Sequence, residues 1–197
     1  MNPFIAAFLF GITGYLCGSL PFALWVTRWR KGVDVRLAGS GHMTATNTMR
    51  QAGWFAGAAV LVLDLAKGFL PTFLAIHFGA AAWVVFMTAG STIVGHCWPV
   101  FAEFHGGMGL AASGGALLAV SPLGFLLGLG ILIFLVLVIH HSARASVITG
   151  ALISPLLWIL GLRGTVIWVA AAVGFVIALR FLIDWNRHYR ELWLDRG

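Results

Sequence analysis

The sequence predicts an all-α fold, a polytopic integral membrane helical bundle of about seven transmembrane helices. Three observations carry that expectation. The 197 residues are 60% hydrophobic and 9% charged, with a mean hydropathy of +0.97, whereas roughly a quarter of residues in soluble domains are charged. The apolar residues gather in uncharged runs, most of them near the ~20 residues a helix needs to cross the hydrocarbon layer. Most of the lysines and arginines, finally, fall between the runs rather than along them, Lys67 and Arg180 apart. Backbone groups inside a bilayer must be paired within the spanning structure, so such runs read as helices rather than barrel strands.

Taken in order, the runs are 4–26, 54–76, 80–98, 108–120, 123–140, 145–161 and 164–183. The first follows Met1-Asn2-Pro3, which has no basic n-region, and ends in Gly18-Ser19-Leu20-Pro21 without a small-x-small cleavage pattern. It therefore reads as a retained span, not a removed signal peptide. The fourth is short and rich in glycine (Gly106, Gly107, Gly109, Gly114, Gly115), the pattern of a partial or tilted helix. Arg28, Arg30, Lys31, Arg36 and Arg50 follow the first span, and Arg180, Arg187, Arg190 and Arg196 follow the last. Both groups belong in the cytoplasm by the positive-inside rule, which puts the N-terminus outside and the C-terminus inside. Seven spans also put Arg144 inside and leave Arg163 outside. No period of 20 to 50 residues repeats and no linker divides the chain, so residues 1–197 read as one transmembrane domain. The net charge of +6 is spread at span ends and makes no stripe for nucleic acid, and Cys17 and Cys97 form neither a disulfide framework nor a metal knuckle. Trp25, Trp29, Trp54, Trp185 and Trp193 near span ends fit an interfacial aromatic belt.

Seven spans bring residues 27–50, 96–109, 140–146 and the C-terminal tail to the cytoplasmic face. These are ordinary loops or the parts of a site for a water-soluble substrate. Their composition favours a site. Gly39-Ser40-Gly41 and Gly106-Gly107-Met108-Gly109 let successive N–H groups point into one concavity, a nest for phosphate, although glycines in membrane helices also serve close packing. Ser40, Thr46 and Asn47 add neutral donors and Arg50 a planar fork, together an oxyanion cradle. Asp64 and Lys67 lie three residues apart on one helical face, where each lowers the cost of the other as a structural ion pair. His96, at the end of the third span before Pro99, is a general base or a helix-end cap. His96, His105, His140 and His141 lack metal-site spacing, and no metal is expected.

Taken together these segments resemble the bacterial acyl-phosphate:glycerol-3-phosphate acyltransferases. Gly18-Ser19-Leu20-Pro21-Phe22-Ala23 resembles the family's GSxPxG. Asp34-Val35-Arg36 followed by GSGHMTATNTMR, residues 39–50, resembles D-I-R-x-x-G-S-G-N-x-G-A-T-N-x-x-R. Asp64 to Gly68 gives D-x-x-K-G, and residues 95–112 resemble G-H-x-F-P-V-F-x-x-F-K-G-G-K-G-x-A-T. The likeness runs over nearly the whole chain, in order and at the family's spacing. It departs at specific places. His105 and Met108 replace the two lysines of the third motif, Ala112 its threonine, His42 an asparagine and Thr44 a glycine of the second. A serine of the family falls at Ala143, beside Ser142 and Ser146, and the family's C-terminal histidine and asparagine fall on Trp185 and His188.

The resemblance implies a reaction in the bacterial inner membrane. The sn-1 hydroxyl of glycerol-3-phosphate attacks the carbonyl of an acyl phosphate, giving 1-acyl-glycerol-3-phosphate and phosphate in phospholipid biosynthesis. It implies no cofactor; the partners are acyl phosphate, glycerol-3-phosphate and membrane lipid, and the protein is a monomer or weak oligomer. Ser40, Arg50 and His96 are the expected catalytic residues, with Gly39, Gly41, Thr46, Asn47, His105, Gly106, Gly107 and Gly109 binding substrate. The missing lysines leave an alternative open, a weak or inactive member that serves as an anion-binding membrane protein or small transporter, unless His105 and Arg144 restore the charge. Transfer from a thioester is disfavoured, because no histidine is followed by Asp five residues on, as H-x-x-x-x-D chemistry requires.

Overall fold

A computed structural model describes residues 2–187, and among these every regular element is helical. The positions Arg190, Trp193 and Arg196 of the basic tail, and His188, lie outside the described residues. Helix α1 (Pro3–Gly18) opens with Asn2, whose side chain accepts the Phe4 N–H, and with Pro3 in the first turn, where its missing N–H costs nothing. The expected continuous span 4–26 is broken after Gly18. Pro21 cannot donate to the i−4 carbonyl, and the chain restarts as α2 (Phe22–Lys31), which ends at Gly32 in the left-handed region at φ 68°. A short helix, α3 (Ala45–Ala52), lies within the stretch read from sequence as an oxyanion loop.

The remaining helices are α4 (Trp54–His77), α5 (Ala82–Cys97), α6 (Leu110–Val120), α7 (Pro122–Ile139), α8 (Ser142–Ile159) and α9 (Thr165–Leu182). Trp98-Pro99 ends α5 by removing the next donor. Six helical stretches, counting Pro3–Lys31 as one, are long and apolar enough to cross a bilayer. The expected fourth span is α6, and its 11 residues reach only about 16 Å at 1.5 Å per residue, half the hydrocarbon thickness.

Lipid tails are as apolar as leucine, so membrane helices associate through close packing of small residues rather than through expulsion from water. The bundle shows this at two crossings. Gly14 and Gly18 of α1 face Thr88 and Thr92 of α5, and a Cβ on Gly18 would stand 2.0 Å from the Thr92 carbonyl oxygen. Thr88 and Thr92 turn their hydroxyls back to the carbonyls of Val84 and Thr88, so no donor is stranded. Gly68 of α4 and Gly115 of α6 make the second crossing, where added Cβ atoms would fall 1.9 Å from the Ala112 oxygen and 2.0 Å from the Leu65 oxygen. The core between them is built from Ile93, Ala112, Ala116, Leu157, Val173 and their neighbours on α5, α6, α8 and α9.

Backbone cannot yield as a side chain does, so Gly68→Val is expected to destabilise the bundle by about 3 kcal/mol or more. Gly130 on α7 has open space beside it, and Gly130→Val should leave stability nearly unchanged. Thermal unfolding of the two variants in the same detergent compares them.

Candidate active site

The chain between α2 and α3 is held by the Asp34–Arg36 pair, by Thr44 and, third, by Asn47. Asp34 caps a short 3-10 turn at Val35–Leu37. Its carboxylate accepts from the Arg36 backbone N–H at 3.0 Å, from Arg36 Nε at 3.1 Å and from Arg28 Nη2 at 2.7 Å. Those donors, the Arg36 side chain first, hold the Asp34 carboxyl well below the usual carboxylate range. Arg36 also donates to the carbonyl of Ala102, which ties this loop to the one after α5. Thr44 caps α3 by accepting the Asn47 N–H at 3.2 Å.

Asn47 is the third. Its fully buried amide donates to the carbonyls of Val35, Ala38 and His42 at 3.0 to 3.1 Å. Asn47, expected from the sequence to bind substrate, here ties the loop together: it serves the buried Val35 carbonyl and shares the Ala38 and His42 carbonyls with the N–H groups of Gly41 and Thr44. Gly39 and Gly41 sit at φ 58° and 73°, conformations that side chains resist. A Cβ on Gly39 would also meet Asn47 Oδ1 at 2.3 Å. These two glycines shape the turn that carries Ser40.

The second glycine run packs directly against the first. Met43 N–H donates to the Gly106 carbonyl at 3.2 Å and Gly107 N–H to the His96 carbonyl at 3.0 Å. A Cβ on Gly107 would stand 2.2 Å from His96 Nε2. Gly106 and Gly107, expected to bind substrate, form a close-packed joint between the two loops. His105, also expected to bind substrate, is exposed, with Nδ1 2.7 Å from the Glu103 carbonyl oxygen. The Arg144 guanidinium lies over the Trp185 ring at 5.7 Å.

The residue that fastens the joint is one the sequence did not single out. Arg180, near the end of α9 and 9% exposed, donates from Nε to the Gly107 carbonyl at 3.1 Å and from Nη2 to His42 Nδ1 at 3.2 Å, and it lies over the Trp98 ring. A charge inside the otherwise apolar run 165–182 was the available signal. Just beyond, His42 Nε2 is 3.1 Å from Asp184 Oδ2, and Arg187 Nη2 donates to the Ser40 carbonyl at 2.7 Å. Burial first, then Arg180, lowers the His42 pKa from 6.5 to about 4.

Between these loops and the helices lies a cavity of about 480 Å³. Ser40, His42, Thr44, Thr46 and Arg50 line it from the α2–α3 segment, and Asp64 and His96 from α4 and α5. Gly109, Leu110 and Ala111 bring the first turn of α6 to its wall, and Leu61, Leu65, Phe125, Leu129 and Leu132 form an apolar side. Met108, standing where the resemblance has a lysine, lines the cavity and is packed in the core. Behind the wall, Lys67 Nζ is 3.0 Å from Asp64 Oδ1 and donates to the Leu20 carbonyl at 3.0 Å; His96 Nδ1 is 3.7 Å from the same carboxylate oxygen. Among the described residues, no three His, Cys, Asp or Glu side chains gather as a metal site would require.

With this geometry in view, the family profile described as glycerol-3-phosphate acyltransferase matches residues 8–192. The chain belongs to that family. Glycerol-3-phosphate acyltransferase 2 of Thermotoga maritima is 40% identical over 140 residues, covering 71% of each chain. Glycerol-3-phosphate acyltransferase 1 of Dehalococcoides mccartyi is 34% identical over 187 residues, 91% of this chain and 89% of that one. The crystal structure of PlsY (YgiH), an integral membrane glycerol 3-phosphate acyltransferase, in its glycerol 3-phosphate form, is similar with a TM-score of 0.80 and 33% identity, covering 92% of this chain and 90% of that one. The family fold is that of an integral membrane protein, and this member carries it with an uncharged Met108 in the cavity wall.

Two measurements check the loop. Asn47→Ala leaves the buried Val35 carbonyl short of a donor and is expected to cost about 1–3 kcal/mol in detergent unfolding. Because folding lowers the His42 pKa from 6.5 to about 4, the unfolded chain binds more protons across that window. Stability should fall as pH falls through it, and His42→Gln should flatten that slope.

Proposed function

We propose that this protein transfers a fatty acyl group from acyl phosphate to the sn-1 hydroxyl of glycerol-3-phosphate, releasing phosphate and 1-acyl-glycerol-3-phosphate. One observation carries the reading. A single cavity joins the hydroxyls of Ser40, Thr44 and Thr46 and the guanidinium of Arg50 to a wall of leucine and phenylalanine, so it fits a substrate with an anionic head and an apolar chain. Family membership supplies the acceptor, as the relatives are named for glycerol-3-phosphate.

In this reading the Ser40 turn and the first turn of α6 receive the phosphate of the donor, with helix N–H groups facing negative charge. Arg50 orients the acceptor's phosphate as a bidentate fork. The acceptor oxygen bonds to the acyl carbon, the bond from that carbon to the phosphate oxygen breaks, and phosphate departs with the electron pair. His96 lines the cavity, and its Nδ1 faces Asp64 Oδ1 at 3.7 Å; the opposite ring nitrogen takes the hydroxyl proton, with Asp64 behind the ring. An acyl phosphate is already an activated anhydride, so holding the two anions in register accounts for much of the rate. The segments that carry these groups face the cytoplasm, where glycerol-3-phosphate is found.

Purified protein given palmitoyl phosphate and glycerol-3-phosphate should release phosphate and lysophosphatidate in equal amounts. Arg50→Ala should lower kcat/KM roughly tenfold to a hundredfold, the worth of one charge-assisted bond of about 1.5–3 kcal/mol. Wild-type turnover no greater than that of Arg50→Ala would refute the reading. Binding of glycerol-3-phosphate without turnover would instead mark an anion-binding protein.

A further inference from the structure

His42 lines the cavity, stands where the family motif has asparagine, and reaches from the Ser40 turn to α9 and the turn after it. Its ring meets three charged groups: Arg180 Nη2 at 3.2 Å from Nδ1, and Asp184 Oδ2 at 3.1 Å and Arg187 Nη1 at 3.0 Å from Nε2. With the proton on Nε2 the ring donates to Asp184 while Nδ1 accepts from Arg180; with the proton on Nδ1, Nε2 instead accepts from Arg187. A proton on both nitrogens would place a cation beside two guanidiniums. The neutral ring thus bonds within the cluster in either tautomer, and its Nε2 edge meets both signs of charge.

The same cluster grips the backbone of the turn. Arg187 donates to the Ser40 carbonyl and is drawn to Asp184 Oδ1 at 3.8 Å, and Arg180 donates to Gly107 in the neighbouring loop. Asp184 is 9% exposed. Residues 40, 42, 107, 180, 184 and 187 therefore make one hydrogen-bonded clasp across more than 140 positions of sequence, with the imidazole at its centre.

We infer that His42 is a positioning residue for acyl transfer: as a neutral bridge between Arg180 and Asp184, it fixes the Ser40 turn in the shape that receives the donor's phosphate. The inference rests on the acyl-phosphate reading above and adds to it a residue that acts through others. His42 is not the proton acceptor, because both its ring nitrogens are engaged. The clasp also explains how the turn keeps its shape without the lysines of the third motif, since its cations come from α9 and the turn beyond.

The test uses the full-length protein in detergent, with palmitoyl phosphate and glycerol-3-phosphate, and an alkyl phosphonate as a donor analogue that cannot react. His42→Ala should raise the KM for palmitoyl phosphate and the Kd for the phosphonate tenfold or more, while kcat changes less than threefold. His42→Gln, which keeps an amide donor toward Asp184, should restore both to within threefold of wild type. The acid limb of kcat/KM provides a readout that general loosening would not move. Arg187 lowers the His42 pKa and Asp184 raises it, so Arg187→Gln should shift the limb to higher pH and Asp184→Asn to lower pH. Ionisation of the substrate is common to all variants and cancels in the comparison. If His42→Ala does not fold, the opposed shifts of the other two variants decide. Unchanged donor KM in His42→Ala, or limbs that do not move apart, would overturn the inference while wild-type turnover stands. Absent wild-type turnover and phosphonate binding would overturn the acyl-phosphate reading itself.

Discussion

The site depends on one buried guanidinium. Arg180 joins two loops that have no regular structure of their own and that meet where the bundle gives way to polar surroundings. Arg180 bonds to the Gly107 carbonyl of one loop and to the His42 ring of the other. A charge in this position is costly unless it is fully bonded. Two directed hydrogen bonds and the face of Trp98 satisfy it. Removing Arg180 would take a donor from the Gly107 carbonyl and from His42 Nδ1 at once, so the two glycine runs depend on a residue of the last helix.

A division of labour follows between the glycine runs. Gly39 and Gly41 bend the chain around Ser40 and leave the turn at the cavity edge. Gly106 and Gly107 remove side chains so that the second loop can lie flat on the first and on His96. Both runs look alike as sequence, because a glycine needed for a positive φ and a glycine needed for close approach are written with the same letter.

That ambiguity sets how much was legible. Hydropathy alone located every helix from α4 onward to within a few residues, because the bilayer imposes length and apolarity on each segment separately. The break at Leu20-Pro21 and the helix at Ala45–Ala52 were hidden, the first within an apolar run and the second within a polar one. The pairing of Asp64 with Lys67 was readable because helical spacing puts both on one face. The roles of Asn47 and Arg180 were not, since their partners are backbone carbonyls brought near only by the fold, and a carbonyl has no signature in sequence. His105 and Met108 were legible as departures, but only coordinates show that one faces outward and the other lies in the cavity wall.

The ion pair within α4 bears on how the chain reaches its place. Asp64 and Lys67 belong to the same helix and can neutralise each other before any other segment arrives. A nascent α4 can therefore leave the translocon for lipid as an uncharged rod, with no need to wait for an oppositely charged neighbour to be synthesised. In the folded bundle His96 and the Leu20 carbonyl stand beside the pair, and neither is needed to neutralise it.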